Sequence, residues 1–196
     1  MRSIHRFFFL GGDHSISYST AKAFFDYCKD FGKEPCLIIF DAHVDCMESV
    51  KEPTHEEWLR KLIEKGFPTE NILIIGARNV DKSEIQFMKE NKIKQISINS
   101  ILEDIDNIAD TIMEFSNGKD LYVSIDIDVV DPAFAPAVAY PEVGGLTSRQ
   151  FLYLIQRIRK VKTLKAVDIV EINSEKDKEF NMLTTKLGAK ILSELI

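Results

Sequence analysis

The chain has 196 residues, a hydrophobic share of 45%, a charged share of 29% and a formal net charge of −6 at pH 7. This length suits one domain, 1–196, with a substantial core, and the acidic balance argues against nucleic acid as a partner, because a phosphate backbone calls for a basic face. No apolar run approaches the roughly 20 residues of a membrane span, and FFFL in MRSIHRFFFLGGDHS is too short for the apolar part of a secretory leader. Cys28, Cys36 and Cys46 form no C-x-x-C pair, so free thiols in a reducing cytoplasm are expected.

The first predicted strand is RFFFL, 6–10, followed directly by Gly11-Gly12-Asp13-His14-Ser15 and a helix over 15–30. The second, CLIIFD at 36–41, runs into Asp41-Ala42-His43-Val44-Asp45. A helix over 54–65 opens at Thr54, with Glu57 three residues on as a capping-box pair. NILIIG at 71–76 is the third strand, followed by a helix over 81–91, and KQISI at 94–98 is the fourth. Ser100 and Glu103 fit a second capping box, opening a helix over 100–116. LYVSIDI at 121–127 is the fifth strand and ends in Ser124-Ile125-Asp126-Ile127-Asp128, then Asp131-Pro132. The irregular stretch 128–146 is the longest in the chain, and a loop of that length in a compact domain is usually functional. Thr147 and Gln150 start a helix over 147–160. The last strand, 164–171, ends in Asp168-Ile169-Val170-Glu171, and a helix over 177–195 closes the chain.

These strands are short, rich in Ile, Val and Phe, and mostly continuous in hydrophobicity, as strands buried on both faces of a parallel sheet are. Their alternation with helices predicts an α/β fold, a three-layer αβα sandwich around a mostly parallel sheet. In such folds ligands bind beyond the carboxyl ends of the strands, where the unusual polar residues fall. Read as extended chain, Asp41, His43 and Asp45 project to one side, as do Asp126 and Asp128. Carboxylates packed this closely would repel one another and mostly protonate, whereas two divalent cations would neutralise them. Mixed imidazole and carboxylate ligands suit manganese, nickel, iron or zinc, and the lack of cysteine in these rows argues against a structural zinc site.

Together the motifs resemble those of the ureohydrolase family, which comprises arginase, agmatinase, guanidinobutyrase and formiminoglutamase. G-G-D-H-S, D-A-H-x-D, S-x-D-x-D-x-x-D-P and a late strand ending in glutamate occur in the family's order, and YPEVGGLT at 140–147 is similar to its lead into the next helix. The resemblance implies an arginase/deacetylase-like fold and a dinuclear site, with manganese as the expected metal. His14, Asp41, Asp45 and Asp126 would hold one ion and His43, Asp41, Asp126 and Asp128 the other, with Asp41 and Asp126 bridging. It further implies that a metal-bridging hydroxide attacks a guanidino substrate to give urea and an amine. Asp45 and Glu171 would belong to the catalytic set, with Glu171 binding the guanidinium and His55 shuttling the proton that the leaving amine needs. Asp131 is expected to shape a turn and Arg78 to pair structurally. Hydrolysis of another linear C–N bond (formimino or acetylated amine), or a non-catalytic metal-binding paralogue, are the alternatives.

The match departs from the family at four places. The chain is much shorter than the usual member and begins almost at G-G-D-H-S, which would leave a sheet edge for a symmetric partner to cover, so a homo-oligomer is expected. His55 is followed by Glu56 instead of glycine, and Glu171 by Ile-Asn-Ser instead of x-Asn-Pro. CMESVKEP at 46–53 does not look like the corresponding loop of arginase proper; Glu48 or Glu52 there would meet a cationic tail such as that of agmatine.

Overall fold

Six apolar runs become six parallel strands: β1 (Phe7–Leu10), β2 (Pro35–Phe40), β3 (Ile72–Ile75), β4 (Lys94–Ile96), β5 (Asp120–Asp126) and β6 (Leu164–Val170). Their order in the single sheet is β1-β6-β5-β2-β3-β4, and every pairing is parallel. The structure, a computed structural model, describes residues 6–48 and 53–196. β2, β3 and β5 are buried along their whole length, as their unbroken hydrophobicity requires.

The seven described helices are α1 (Ile16–Asp30), α2 (Trp58–Glu64), α3 (Lys82–Glu90), α4 (Ile98–Glu103), α5 (Ile105–Phe115), α6 (Ser148–Ile158) and α7 (Leu183–Leu195). Alternate residues of each strand feed two cores. Leu37, Ile39, Ile74 and Tyr122 pack with Phe24 and Phe25 of α1, Leu59 of α2 and Met88 of α3. Ile38, Phe40, Val123 and Ile125 pack with Ile112 of α5, Phe151 and Leu154 of α6 and Ile191 of α7. The result is the expected three-layer sandwich. Each buried Leu, Ile or Phe contributes about 1.5–3 kcal/mol relative to exposure.

Several helix boundaries differ from the sequence reading. The Thr147–Gln150 capping box forms, but the other two do not. Ser97 accepts from the Ser100 amide to open α4, and the stretch 100–116 breaks at Asp104, whose side chain accepts from the Asn107 amide to start α5. Residues 55–57 form a turn ahead of α2, and Thr54 bonds the Glu57 side chain instead of capping the helix. The final helix begins late because Asn181 and Met182 are left-handed after a 3-10 turn at Lys176–Phe180. A further capping box, complete on both sides, forms at α3 between Asp81 and Glu84.

All strands point the same way, so β1, β2, β5 and β6 end along one edge. The loop 128–146 is tied down beside it. The Arg78 guanidinium donates to the carbonyls of Asp128 (2.7 Å), Glu142 (2.6 Å) and Val143 (3.1 Å). Asp131 accepts from the amides of Ala133, Gly144 and Gly145. Both residues act structurally, as expected.

Candidate functional site

The loop after β1 is laced to the end of β6. The Gly11 amide donates to Ile169 O (3.0 Å), the Glu171 amide to Gly12 O (2.8 Å), and the His14 amide to Glu171 Oε1 (2.8 Å). A Cβ on Gly11 would stand 2.7 Å from Ile16 Cγ2 and 3.0 Å from Val170 Cγ1, so only glycine permits this approach. Glu171 has φ 65°, a left-handed conformation that ends the strand and that a non-glycine residue adopts at a cost of order 1 kcal/mol or more.

His14 is thereby held almost fully buried (1% exposed), with Nδ1 facing Asp45 Oδ2 at 2.9 Å, Asp41 Oδ2 at 3.1 Å and Asp126 Oδ2 at 3.4 Å. A second imidazole, His43, places Nδ1 2.9 Å from Asp128 Oδ2 and 3.5 Å from Asp41 Oδ1. Two groups of donor atoms result: His14, Asp41 and Asp45, and Asp41, His43 and Asp128, each close enough to surround one ion. Asp41 is common to both, and Asp126 lies against the first through His14. All six residues named as ligands from the sequence come together.

The way they come together differs from the extended rows expected. β2 ends at Phe40, and residues 41–48 curl away from strand geometry. Asp41 Oδ1 accepts from the His43 amide (2.7 Å), and Asp126 Oδ1 from the Asp128 amide (2.8 Å). Each side chain caps its own following turn, which leaves Oδ2 aimed inward. Asp128 sits in a 3-10 turn, Ile127–Val129, and its Oδ1 takes the Ala42 amide (2.9 Å), stitching the ends of β2 and β5 together. Asp45 is left-handed (φ 49°), and its Oδ2 accepts from the Trp58 indole (2.8 Å). No motif marks Trp58 as a site residue; its being the chain's single tryptophan is the one signal in the sequence.

The electrostatics show too many carboxylates for the protons available. Burial and the neighbouring Asp41 push Asp45 up to about 7. Burial, with Asp128 and Asp41 close by, holds Asp126 well above the carboxylate range, and burial and Asp41 raise Asp128. On His43 burial disfavours charge, but Asp128 and Asp41 outweigh it and raise the imidazole to about 11; His14 moves the same way under Asp126, Asp41 and Asp45. Asp41 is buried too, yet the two imidazoles draw it down to about 2. His14 Nδ1 and Asp41 Oδ2 are shut away from water with no satisfied hydrogen bond. A buried group in that state is costly, and a divalent cation resolves it. The donor set fits metal.

Glu171 and His55 line the same small cavity as His14, His43, Asp45, Asp126, Asp128 and Tyr140. Burial raises the Glu171 carboxyl above its usual value. The His55 ring stacks on Tyr140 (5.7 Å between centroids), and its Nε2 is buried without a partner. Next to it opens a cleft of about 260 Å³ lined by Glu56, Asn79, Asp81, Tyr140 and Glu142. Glu48 is exposed and lines neither cavity, and Glu52 lies outside the described residues.

Comparison with known proteins agrees with this architecture. Agmatinase of Bacillus subtilis (strain 168) is 32% identical over 190 residues, covering 95% of this chain and 61% of its own length. The solved structure of Entamoeba histolytica arginase in complex with L-ornithine superposes with a TM-score of 0.86 at 25% identity, over 97% of this chain and 69% of that one. Formimidoylglutamase of Bacillus subtilis subsp. subtilis str. 168 gives 0.85 at 26% identity, over 95% and 58%. The chain spans about half the length of the curated relatives it matches. A sequence model of the arginase family matches residues 1–196, and the chain belongs to that family.

Proposed function

We propose that this protein is a binuclear metal-dependent hydrolase of a guanidino compound, releasing urea and a primary amine. One observation carries the reading: two donor groups share Asp41 at the sheet's carboxyl edge, with buried His14 Nδ1 and Asp41 Oδ2 left unsatisfied, and with Glu171 beside them. Divalent cations held there, manganese being the expected pair, supply positive charge and make water a stronger nucleophile near neutral pH.

The chain's own residues supply the rest. Glu171 Oε1 is fixed by the His14 amide, leaving Oε2 free to hold a guanidinium through charge-assisted hydrogen bonds. The buried floor of the small cavity would orient the planar carbon and strengthen the charge interactions made there. His55, with Nε2 unpartnered in the cavity, donates the proton without which the amine cannot leave.

Substrate identity rests on the cleft. Among the described residues its lining holds Glu56, Asp81 and Glu142 and no Lys or Arg, which suits a guanidino compound with a cationic tail, agmatine-like, over one ending in a carboxylate. Glu48 belongs to this reading as a residue flanking the cleft. Three buried free thiols fit a reducing, cytoplasmic setting, and among the described residues no helix is long and apolar enough to cross a membrane. The edge of β1, unpaired among the described residues and with Phe7 63% and Leu10 66% exposed, suits a homo-oligomer. Similarity to formimidoylglutamase keeps a formimino substrate as the second reading.

The test is urea release from agmatine, arginine and 4-guanidinobutyrate after loading with manganese or nickel, with Asp126→Asn as control. Turnover of agmatine above the others, abolished in the control, supports the reading. Equal release by the control, or formamide from a formimino compound and no urea from any of the three, overturns it.

A further inference from the structure

One carboxylate at the sheet edge is not part of the donor groups. Asp168, in β6, is fully buried. Its Oδ2 accepts from Ser17 Oγ (2.8 Å) and Tyr122 OH (2.6 Å), and its Oδ1 from Ser124 Oγ (2.7 Å) and the Ile125 amide (3.3 Å). Four donors for one buried carboxylate is full satisfaction. The Ser124 hydroxyl gives its hydrogen to Asp168, so its oxygen is left to accept. The atom presented to it is His14 Nε2, 2.9 Å away.

The direction of this chain is fixed by chemistry. A carboxylate can only accept, so the serine hydroxyl points toward Asp168, and His14 Nε2 must be the N–H that donates to Ser124. An imidazole carrying its proton on Nε2 offers its Nδ1 lone pair, and Nδ1 is the atom that faces Asp41, Asp45 and Asp126. We infer that Asp168 is a positioning residue that, through Ser124, fixes the tautomer and ring orientation of His14 so that Nδ1 is presented to a metal ion. This inference rests on the metal reading above. Outer hydrogen bonds to ligating histidines govern affinity in this way, at 10–100-fold each. The relay reaches one donor group only. His43, in the other, has its Nε2 turned toward Glu142 (3.6 Å).

The consequence is selective. Manganese titration by calorimetry of the whole protein is expected to show two sites in the wild type. In Ser124→Ala and Asp168→Ala one of the two should weaken by about 10–100-fold while the other keeps its affinity. Their double variant should weaken no further than the stronger single one, since both break one chain. Tyr122→Phe and Ser17→Ala each remove one hydrogen bond to Asp168 outside the relay, and should lower Tm while both affinities stay. Ser124→Ala, the smaller change, carries the test if Asp168→Ala does not fold. Wild-type affinity at both sites in Ser124→Ala, or equal weakening of both, overturns the inference and leaves the metal reading standing. Failure of the wild type to bind manganese overturns both.

Discussion

The floor of the site and its rim are built on different principles. On the floor, His14, Asp41, Asp126 and Asp128 are each no more than 4% exposed, and backbone amides pin one oxygen of each of these three aspartates. At the rim, Glu56 and Asp81 are exposed, the Glu142 side chain accepts one hydrogen bond, from Asn79 (2.6 Å), and Tyr140 is 57% exposed. Floor positions can hardly change without breaking the turns that make them, whereas the Glu56 and Glu142 side chains at the rim can change more freely, Asp81 being tied to the cap of α3. One floor with variable rims is how a family comes to act on differently ended substrates with one reaction.

The hardest test of this contrast is to remove the residue both donor groups share. Asp41→Asn is expected to lower urea release by about 10³-fold or more and to reduce manganese stoichiometry, measured by calorimetry. Normal stoichiometry would show that the floor does not act as one unit. His55→Asn stands between floor and rim. Its expected effect is about 10²-fold on kcat with both metal affinities intact, since His55 belongs to neither donor group. A loss of metal with the activity would move His55 into the floor.

Proton competition gives a pH-dependent version of the same test. Asp45 is raised to about 7 from an unfolded value near 3.9. The fold therefore keeps a proton that the unfolded chain has already lost, and the metal-free protein should lose stability as pH rises from about 4 to about 7. His43, raised to about 11, continues the decline above about 6.5. Asp41, drawn down to about 2, acts oppositely, and its contribution is lost as acid is added below about 4. Manganese must displace the Asp45 proton and those held on His14 and His43, so affinity should rise by about tenfold or more per pH unit toward 7. Thermal melts with and without manganese from pH 5 to 8 would show the Tm gain growing with pH. A flat gain would mean that none of Asp45, His14 and His43 holds a proton that the metal displaces.

How much of this was visible beforehand follows the same division. Runs such as CLIIF and LYVSI announce buried parallel strands because burial on both faces leaves no room for polar alternation, and the ligand residues stand where those runs stop. Sequence spacing carries no sign of the turns. Asp41 and Asp126 bend the chain by accepting from amides two residues on, and Asp45 and Glu171 reach the site through left-handed φ values that no local preference of aspartate or glutamate demands. Asp168 was visible as a strand-end acid, but its link to His14 spans 154 residues of chain, from Asp168 back to the GGDHS turn, and only the adjacency of β5 and β6 creates it.

At the rim the expected effects are smallest. Glu142 Oε1 already accepts from Asn79, and the side chain is partly open to water, so screening limits what its charge gives a ligand to about 1 kcal/mol or less. Glu142→Gln should raise KM for agmatine by about two- to fivefold, leave kcat unchanged, and leave KM for 4-guanidinobutyrate the same or lower, because a carboxylate tail is repelled by the residue removed. Glu48→Gln tests the neighbouring loop in the same assay, with a smaller rise in KM expected because Glu48 is exposed and outside the cleft lining. A parallel change for both substrates would show that Glu142 acts through its 3.6 Å contact with His43, as part of the floor and not as a selector of tails.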